Sequence, residues 1–153
     1  MIKVCIADNY PVVHFGVKSY FKDNADISIV ANVGNFAMVQ DILQTKDIDV
    51  LVVDLDLEGL SSIFEVKAIL KNFPKTKIII YSGLSEQIYA PNAIKAGVSG
   101  FVHKSEKLET LGISIIKVQQ GKIIMNETVK KNLALIAKQS KSERLYRKLS
   151  NRE

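Results

Sequence analysis

Short apolar runs alternate with longer amphipathic stretches from the N-terminus to Gly121. Ile2–Ala7 reads as a strand, and Asp8-Asn9-Tyr10-Pro11 as a turn entering a helix. Pro11 suits the first helical turn, where its missing N–H costs nothing. Val13, Val17, Tyr20 and Phe21 then recur at the spacing of one helix face, which ends around Asp23-Asn24. Ile27–Val33 predicts a second strand, and Phe36, Val39, Ile42 and Leu43 a second helix. The run Val50–Val53 lies between turn signals and reads as a strand buried on both faces, delivering Asp54 to its end. Ser61 or Ser62 can cap a third helix with Ile63, Val66, Leu70 and Phe73 inward, stopped before Pro74. Lys77–Tyr81 is a fourth strand that delivers Ser82 and Gly83. A helix over Glu86–Ala96 contains Pro91, so it either starts late or kinks, and it should be the least rigid of the set. Gly100–His103 is a short fifth strand delivering Lys104, and Leu108, Leu111, Ile115 and Val118 line a fifth helix. Five β-α units in alternation predict an α/β fold: one doubly wound, five-stranded parallel sheet with helices on both faces.

Beyond Gly121 the pattern changes. Asn126-Glu127-Thr128 can start a further helix with Val129, Leu133 and Ile136 on one face, while Gln139–Lys148 is polar, basic and linker-like. Ser150, with Glu153 three residues on, has the form of a capping box at the start of a helix, so the chain reads as cut there. The expected organisation is therefore a domain over 1–121, a helical, basic linker over 122–148, and the truncated start of another domain over 149–153.

Charge sharpens that division. Residues 1–121 carry 12 Lys and 13 Asp/Glu, whereas residues 122–153 carry 9 Lys/Arg and 3 Glu, so a neutral body bears a basic tail. Such a tail can be a solvated linker, a phosphate-binding arm or the approach to a DNA-binding module. It lacks the interleaved aromatics of a nucleic-acid-binding arm, which favours the linker. No apolar run approaches the ~20 residues that span a bilayer, and MIKVCIAD lacks the features of a signal peptide, so a cytoplasmic protein is expected. Cys5 is the only cysteine, which excludes an internal disulfide and a cysteine metal cluster and suggests an inert buried thiol. His14 and His103 show no metal-ligand spacing and read as structural or surface residues.

Candidate chemistry lies at the carboxyl ends of the predicted strands: Asp8-Asn9 after the first, Asp54 after the third, Ser82 after the fourth and Lys104 after the fifth. Parallel topology puts these ends along one edge, where open α/β folds bind ligands. Taken alone, Asp54 could as well be a helix cap. Together, Asp8, Asn9 and Asp54 can hold Mg²⁺ through oxygen ligands and waters. Asp54 beside that metal and a lysine ammonium would be a carboxylate nucleophile able to take a phosphoryl group. Lys104 and the Ser82 hydroxyl could bind the transferred oxygens.

On these residues the chain resembles the receiver domains of two-component response regulators, over residues 1 to about 121. The resemblance rests on Asp8-Asn9, on Asp54 with Gly59 five residues on, on Ser82-Gly83, and on Phe101 three residues before Lys104. It implies a (βα)5 flavodoxin-like fold in which Asp54 accepts a phosphoryl group from a histidine kinase or phosphotransfer protein and later loses it by hydrolysis. It also implies that Asp56 offers its backbone carbonyl to the metal, that the Ser82 hydroxyl turns toward the phosphoryl group, and that Phe101 swings from outward to inward. The opening DNYPVVHFG and the closing LSNRE resemble the NarL/FixJ subfamily, which joins a receiver to a LuxR-type helix-turn-helix. A transcription regulator is then implied, one that dimerises on activation through its first and fifth helices. The DNA-binding domain is missing here, so this stretch itself should bind no specific DNA.

Three positions depart from the family pattern. Asn9 stands where a second acid is usual, which should weaken the metal site, and the nearby Asp56 could offset this if its side chain faces the crevice. Glu58 replaces a common proline, and Ser105 follows Lys104 where relatives often carry a proline after a cis bond. A pseudo-receiver regulated without phosphorylation is the alternative these departures raise. Asp54-Leu55-Asp56 also resembles the nucleophile motif of haloacid-dehalogenase-type phosphatases, but only Glu106 and Glu109, on a predicted helix, are acidic soon after Lys104. A regulatory phosphoacceptor, capable at most of self-catalysed phosphorylation and dephosphorylation, is expected rather than an enzyme. A flavin-binding module is disfavoured by the acidic first loop, since a phosphate prefers a helix N-terminus without carboxylates.

Overall fold

A computed structural model describes residues 1–150 of the chain. The elements alternate as β1 (Ile2–Ala7), α1 (Pro11–Tyr20), β2 (Ile27–Val33), α2 (Phe36–Thr45), β3 (Val50–Val53) and α3 (Ile63–Asn72). They continue as β4 (Lys77–Ser82), α4 (Glu86–Lys95), β5 (Gly100–His103), α5 (Leu108–Gln119) and α6 (Glu127–Ser150). All strand pairs are parallel, in the order β2-β1-β3-β4-β5. The order reverses at β1, so the crevice between the ends of β1 and β3 is the topological switch point of the sheet.

The period of two along each strand divides the core into two layers. Val4 and Ile6 of β1 and Val50 and Val52 of β3 pack with Val17 and Phe21 of α1 and Leu111, Ile115 and Val118 of α5. Cys5, Ala7, Leu51 and Val53 face the other way, onto Val39 and Leu43 of α2, Val66 and Ile69 of α3 and Ala90 and Ala93 of α4. The whole of β3 is buried, and each such side chain is worth about 1.5–3 kcal/mol relative to exposure. This is the predicted doubly wound sheet.

Some details differ from expectation. On α1, Tyr20 is exposed, because Val17 and Phe21 already fill the space above the sheet. On α3, Ile69 rather than Leu70 is fully buried. Its cap is Ser62, whose Oγ accepts from Phe64 N–H, while Ser61 bonds Glu65. The fourth helix does not start late. It begins at Glu86 behind the Ser85 cap and runs through Pro91. The Lys104–Ser105 peptide is trans.

At the C-terminus the helix expected to start at Asn126-Glu127-Thr128 runs on as one continuous α6, which takes in the linker-like Gln139–Lys148. The segment has no Gly or Pro, and its Lys, Arg, Gln, Glu and Leu residues are good helix formers, so helix propensity carries it where tertiary contact does not. Ser150 is the last described residue of this helix, and the expected capping box of Ser150 with Glu153, together with Asn151 and Arg152, falls on residues outside the described ones. Of the expected α6 face, Val129 is fully buried, Leu133 packs against the core edge and Ile136 is exposed. No helix among the described residues is long and apolar enough to cross a membrane.

Candidate functional site

The four strand ends do converge. Ala7 and Val53 are register partners, so the next residues, Asp8 and Asp54, emerge side by side at the switch point. Their backbones are held by Asp8 N–H to the Val33 carbonyl at 3.1 Å and Asp54 N–H to the Ala7 carbonyl at 3.0 Å. Ser82 and His103 are likewise partners, and Lys104 N–H donates to the Ser82 carbonyl at 2.8 Å. That bond aims the Lys104 side chain back across the sheet edge. Its Nζ lies 2.7 Å from Asp8 Oδ2 and 2.6 Å from Asp54 Oδ2.

Asp8 and Asp54 are almost fully buried, and Lys104 is largely covered. Carboxylates so placed are stable only when paired and hydrogen-bonded. Lys104 supplies the charge; Tyr10 N–H donates to Asp8 Oδ1 at 2.8 Å and Asp56 N–H to Asp54 Oδ1 at 3.1 Å. Burial pulls the Lys104 pKa down, but its hydrogen bonds to Asp54 and Asp8 and their charges outweigh this and leave it above the usual lysine value. Burial pushes the neighbouring Tyr81 phenol up, with Lys104 opposing and Asp8 adding to the shift.

Ser82 is completely buried, and its Oγ accepts from Leu84 N–H at 3.1 Å. Phe101 is also buried, on the α4 side of the sheet, in the inward of the two positions that the resemblance implies. Asp56 is exposed. Asn9 is engaged on both ends of its carboxamide: Nδ2 donates to the Asp56 carbonyl at 2.6 Å, and Oδ1 accepts from Glu58 N–H at 2.7 Å.

Asp8 and Asp54 are carboxylate donors of the kind a hard cation takes, and each of their four oxygens here meets Lys104 or a backbone N–H. Two other expected ligand atoms, the Asn9 oxygen and the Asp56 carbonyl, are occupied by protein hydrogen bonds. Among the described residues, His, Cys, Asp and Glu side chains nowhere gather in a group of three or more able to hold a metal.

Sequence reasoning missed Tyr10 and read the histidines only as structural or surface residues. The Tyr10 ring lies 5.2 Å from Lys104 Nζ, a cation–π distance. Its place two residues after Asp8, where a backbone N–H can reach back to an Asp side chain, was the available signal. His14 Nε2–H donates to the Asp8 carbonyl at 2.7 Å. His103 Nε2–H donates to the Gly83 carbonyl at 3.1 Å, and the Ser105 hydroxyl donates to its Nδ1 at 2.7 Å. Both histidines are structural, each holding a loop of the site.

Residues 4–116 match the response regulator receiver domain family. The chain belongs to that family. The Fimbriae Z protein of Escherichia coli K12 is 31% identical over 101 residues, covering 66% of this chain and 48% of the relative. A nitrate/nitrite response regulator protein homolog of Haemophilus influenzae is 29% identical over 137 residues, covering 88% of this chain and 64% of the relative. The chain thus spans about half to two-thirds of the length of these curated relatives. Among solved structures, the isolated apo receiver domain of RcsB from Salmonella enterica superposes with a TM-score of 0.78 at 25% identity, covering 88% of this chain and 99% of that one. A LuxR-family response regulator from Aurantimonas has a TM-score of 0.77 at 22% identity, covering 88% and 96%, and shows the fold alone. The family suggested by the strand-end residues is the one matched here.

Proposed function

We propose that Asp54 is the phosphoacceptor of this receiver, taking a phosphoryl group from a histidine kinase or phosphotransfer protein. The reading is carried by one observation: Lys104 bridges Asp8 and Asp54 at 2.7 and 2.6 Å at the switch point of the sheet. An Asp54 oxygen attacks phosphorus and forms the O–P bond while the P–N bond to the donor imidazole breaks. Lys104, the counter-ion of the resting carboxylates, then faces the phosphoryl oxygens, where a fixed positive charge stabilises transfer. The Ser82 hydroxyl donates to a phosphoryl oxygen once it leaves Leu84 N–H, and Phe101 keeps its inward position behind it. Water attack on phosphorus later breaks the O–P bond and returns carboxylate and phosphate. Asp8 and Asp54 would hold Mg²⁺, joined by the Asp56 carbonyl if the Asn9 amide turns away. Bound there, the ion supplies positive charge against the phosphoryl oxygens.

The activity so described is regulatory, in keeping with a receiver domain rather than an enzyme with a diffusible substrate. Phosphorylation would change conformation and favour a homodimer through α1 and α5, where Val12, Phe15 and Ile113 are exposed apolar residues. In the longer protein, expected to be cytoplasmic, this would control an attached LuxR-type DNA-binding domain beginning near residues 149–153. The test is incubation with acetyl phosphate and Mg²⁺ followed by intact-mass measurement. A gain of one phosphoryl group, lost in Asp54→Asn, is expected; no gain under conditions that label an ordinary receiver removes the reading.

A second reading is favoured by the occupied Asn9 and Asp56 atoms. A site already closed by its own hydrogen bonds suits a pseudo-receiver governed by a protein partner, and the same mass experiment separates the two.

A further inference from the structure

The loop between β3 and α3 is pinned from two sides. Glu58 N–H donates to Asn9 Oδ1 at 2.7 Å, and the Glu58 carbonyl accepts from Phe36 N–H at 2.8 Å. Two residues earlier, the Asp56 carbonyl accepts from Asn9 Nδ2 at 2.6 Å. One carboxamide therefore spans two backbone groups of opposite character across the crevice mouth. Only an amide of this length can do so. A carboxylate at position 9 has no donor for the Asp56 carbonyl, and a proline at position 58 has no N–H for the acceptor. Asn9 and Glu58, which stand apart from the family pattern when read singly, are bonded to each other.

We propose that the Asn9 carboxamide is a positioning clamp that holds the β3–α3 loop against the β1–α1 loop without a metal ion, so that loop order in this receiver is independent of Mg²⁺. The inference about Mg²⁺ rests on the reading of Asp8 and Asp54 as the cation site; the clamp itself rests only on the hydrogen bonds. With the clamp closed, the Asp56 carbonyl is not free to meet a cation, and the acidic pair relies on Lys104 for neutralisation. Binding of Mg²⁺ through that carbonyl must first break the bond to Asn9 Nδ2.

The test is residue-resolved amide exchange of the full chain, wild type, Asn9→Ala and Asn9→Asp, in EDTA and in millimolar Mg²⁺. In the wild type, Glu58 N–H should be protected in EDTA and change little with Mg²⁺. In Asn9→Ala its exchange should rise by roughly five- to tenfold, the worth of one hydrogen bond. Asn9→Asp keeps the acceptor for Glu58 but loses the donor to Asp56. Its loop should be partly protected in EDTA and gain protection with Mg²⁺, a response that a merely structural side chain would not produce. Fast exchange of wild-type Glu58 in EDTA that Mg²⁺ slows, or unchanged exchange in Asn9→Ala, overturns the clamp. Loss of protection in Asn9→Ala with no Mg²⁺ response in Asn9→Asp leaves the clamp standing and removes the metal reading instead.

Discussion

The N–H of Phe101 donates to the carbonyl of Ile124 at 2.9 Å, and Ile124 N–H donates in turn to the Ser99 carbonyl at 2.8 Å. The connector between α5 and α6 thus runs beside the outer edge of β5 and satisfies backbone groups an edge strand would leave open. It also ties the aromatic next to the site directly to the start of α6.

Gly100 makes that close approach possible. A Cβ there would lie 3.3 Å from Ile124 Cβ and 3.5 Å from Ile79 Cγ1. Gly100→Val should therefore overpack the edge and cost about 1–3 kcal/mol, read as a lower urea midpoint with the m-value unchanged.

The other end of the connector is docked by Val129, fully buried against the α4 side of the core, and by Asn126 N–H donating to Glu86 Oε2 at 2.6 Å. Burial raises the Glu86 pKa, with the Asn126 bond and His103 opposing and Glu106 adding. Val129→Ala should cost about 2 kcal/mol. Hydrogen exchange should show the first two turns of α6 losing protection while β1 and β3 keep theirs.

Lys104→Ala leaves two buried carboxylates facing each other with no counter-charge. A loss of about 3 kcal/mol at neutral pH is expected from denaturant unfolding. In the wild type the raised Lys104 pKa makes its contribution pH-dependent at the alkaline end. Its stabilisation is complete below the ordinary lysine value and fades as pH climbs through the raised one.

Cys5 has no polar partner role and lies wholly in the core, where burial holds its thiol up at about 12, with the Lys46 charge opposing. The unfolded thiol ionises near 9.0 and the folded one does not, so stability should fall as pH rises between those values. Unfolding between pH 8 and 10 should show a shallower fall for Cys5→Ala. Ellman's reagent should label the wild type only after denaturation.

Much of the architecture was legible in local pattern. The short apolar runs Val50–Val53 and Ile2–Ala7 assigned the strands, and the residue types at four strand ends pointed to one crevice. These signals are readable because burial imposes a period on the chain and because parallel strands must bring their carboxyl ends together. Asn9 was legible as an anomaly but not as a clamp, since its two partners lie 47 and 49 residues away. Charge and polarity marked Gln139–Lys148 as linker-like, and helix propensity, without a buried face, is enough to continue α6 through it.

By itself, then, the sequence determined the sheet, its two helical layers and the chemical identity of the groups at the crevice. The tertiary structure alone decided which groups touch: Lys104 between Asp8 and Asp54, Asn9 across to Asp56 and Glu58, and Ile124 against Phe101. Periodicity reports what each residue shares with its local neighbours. A hydrogen bond between two loops depends on where separate strands end in space, and no local pattern carries that information.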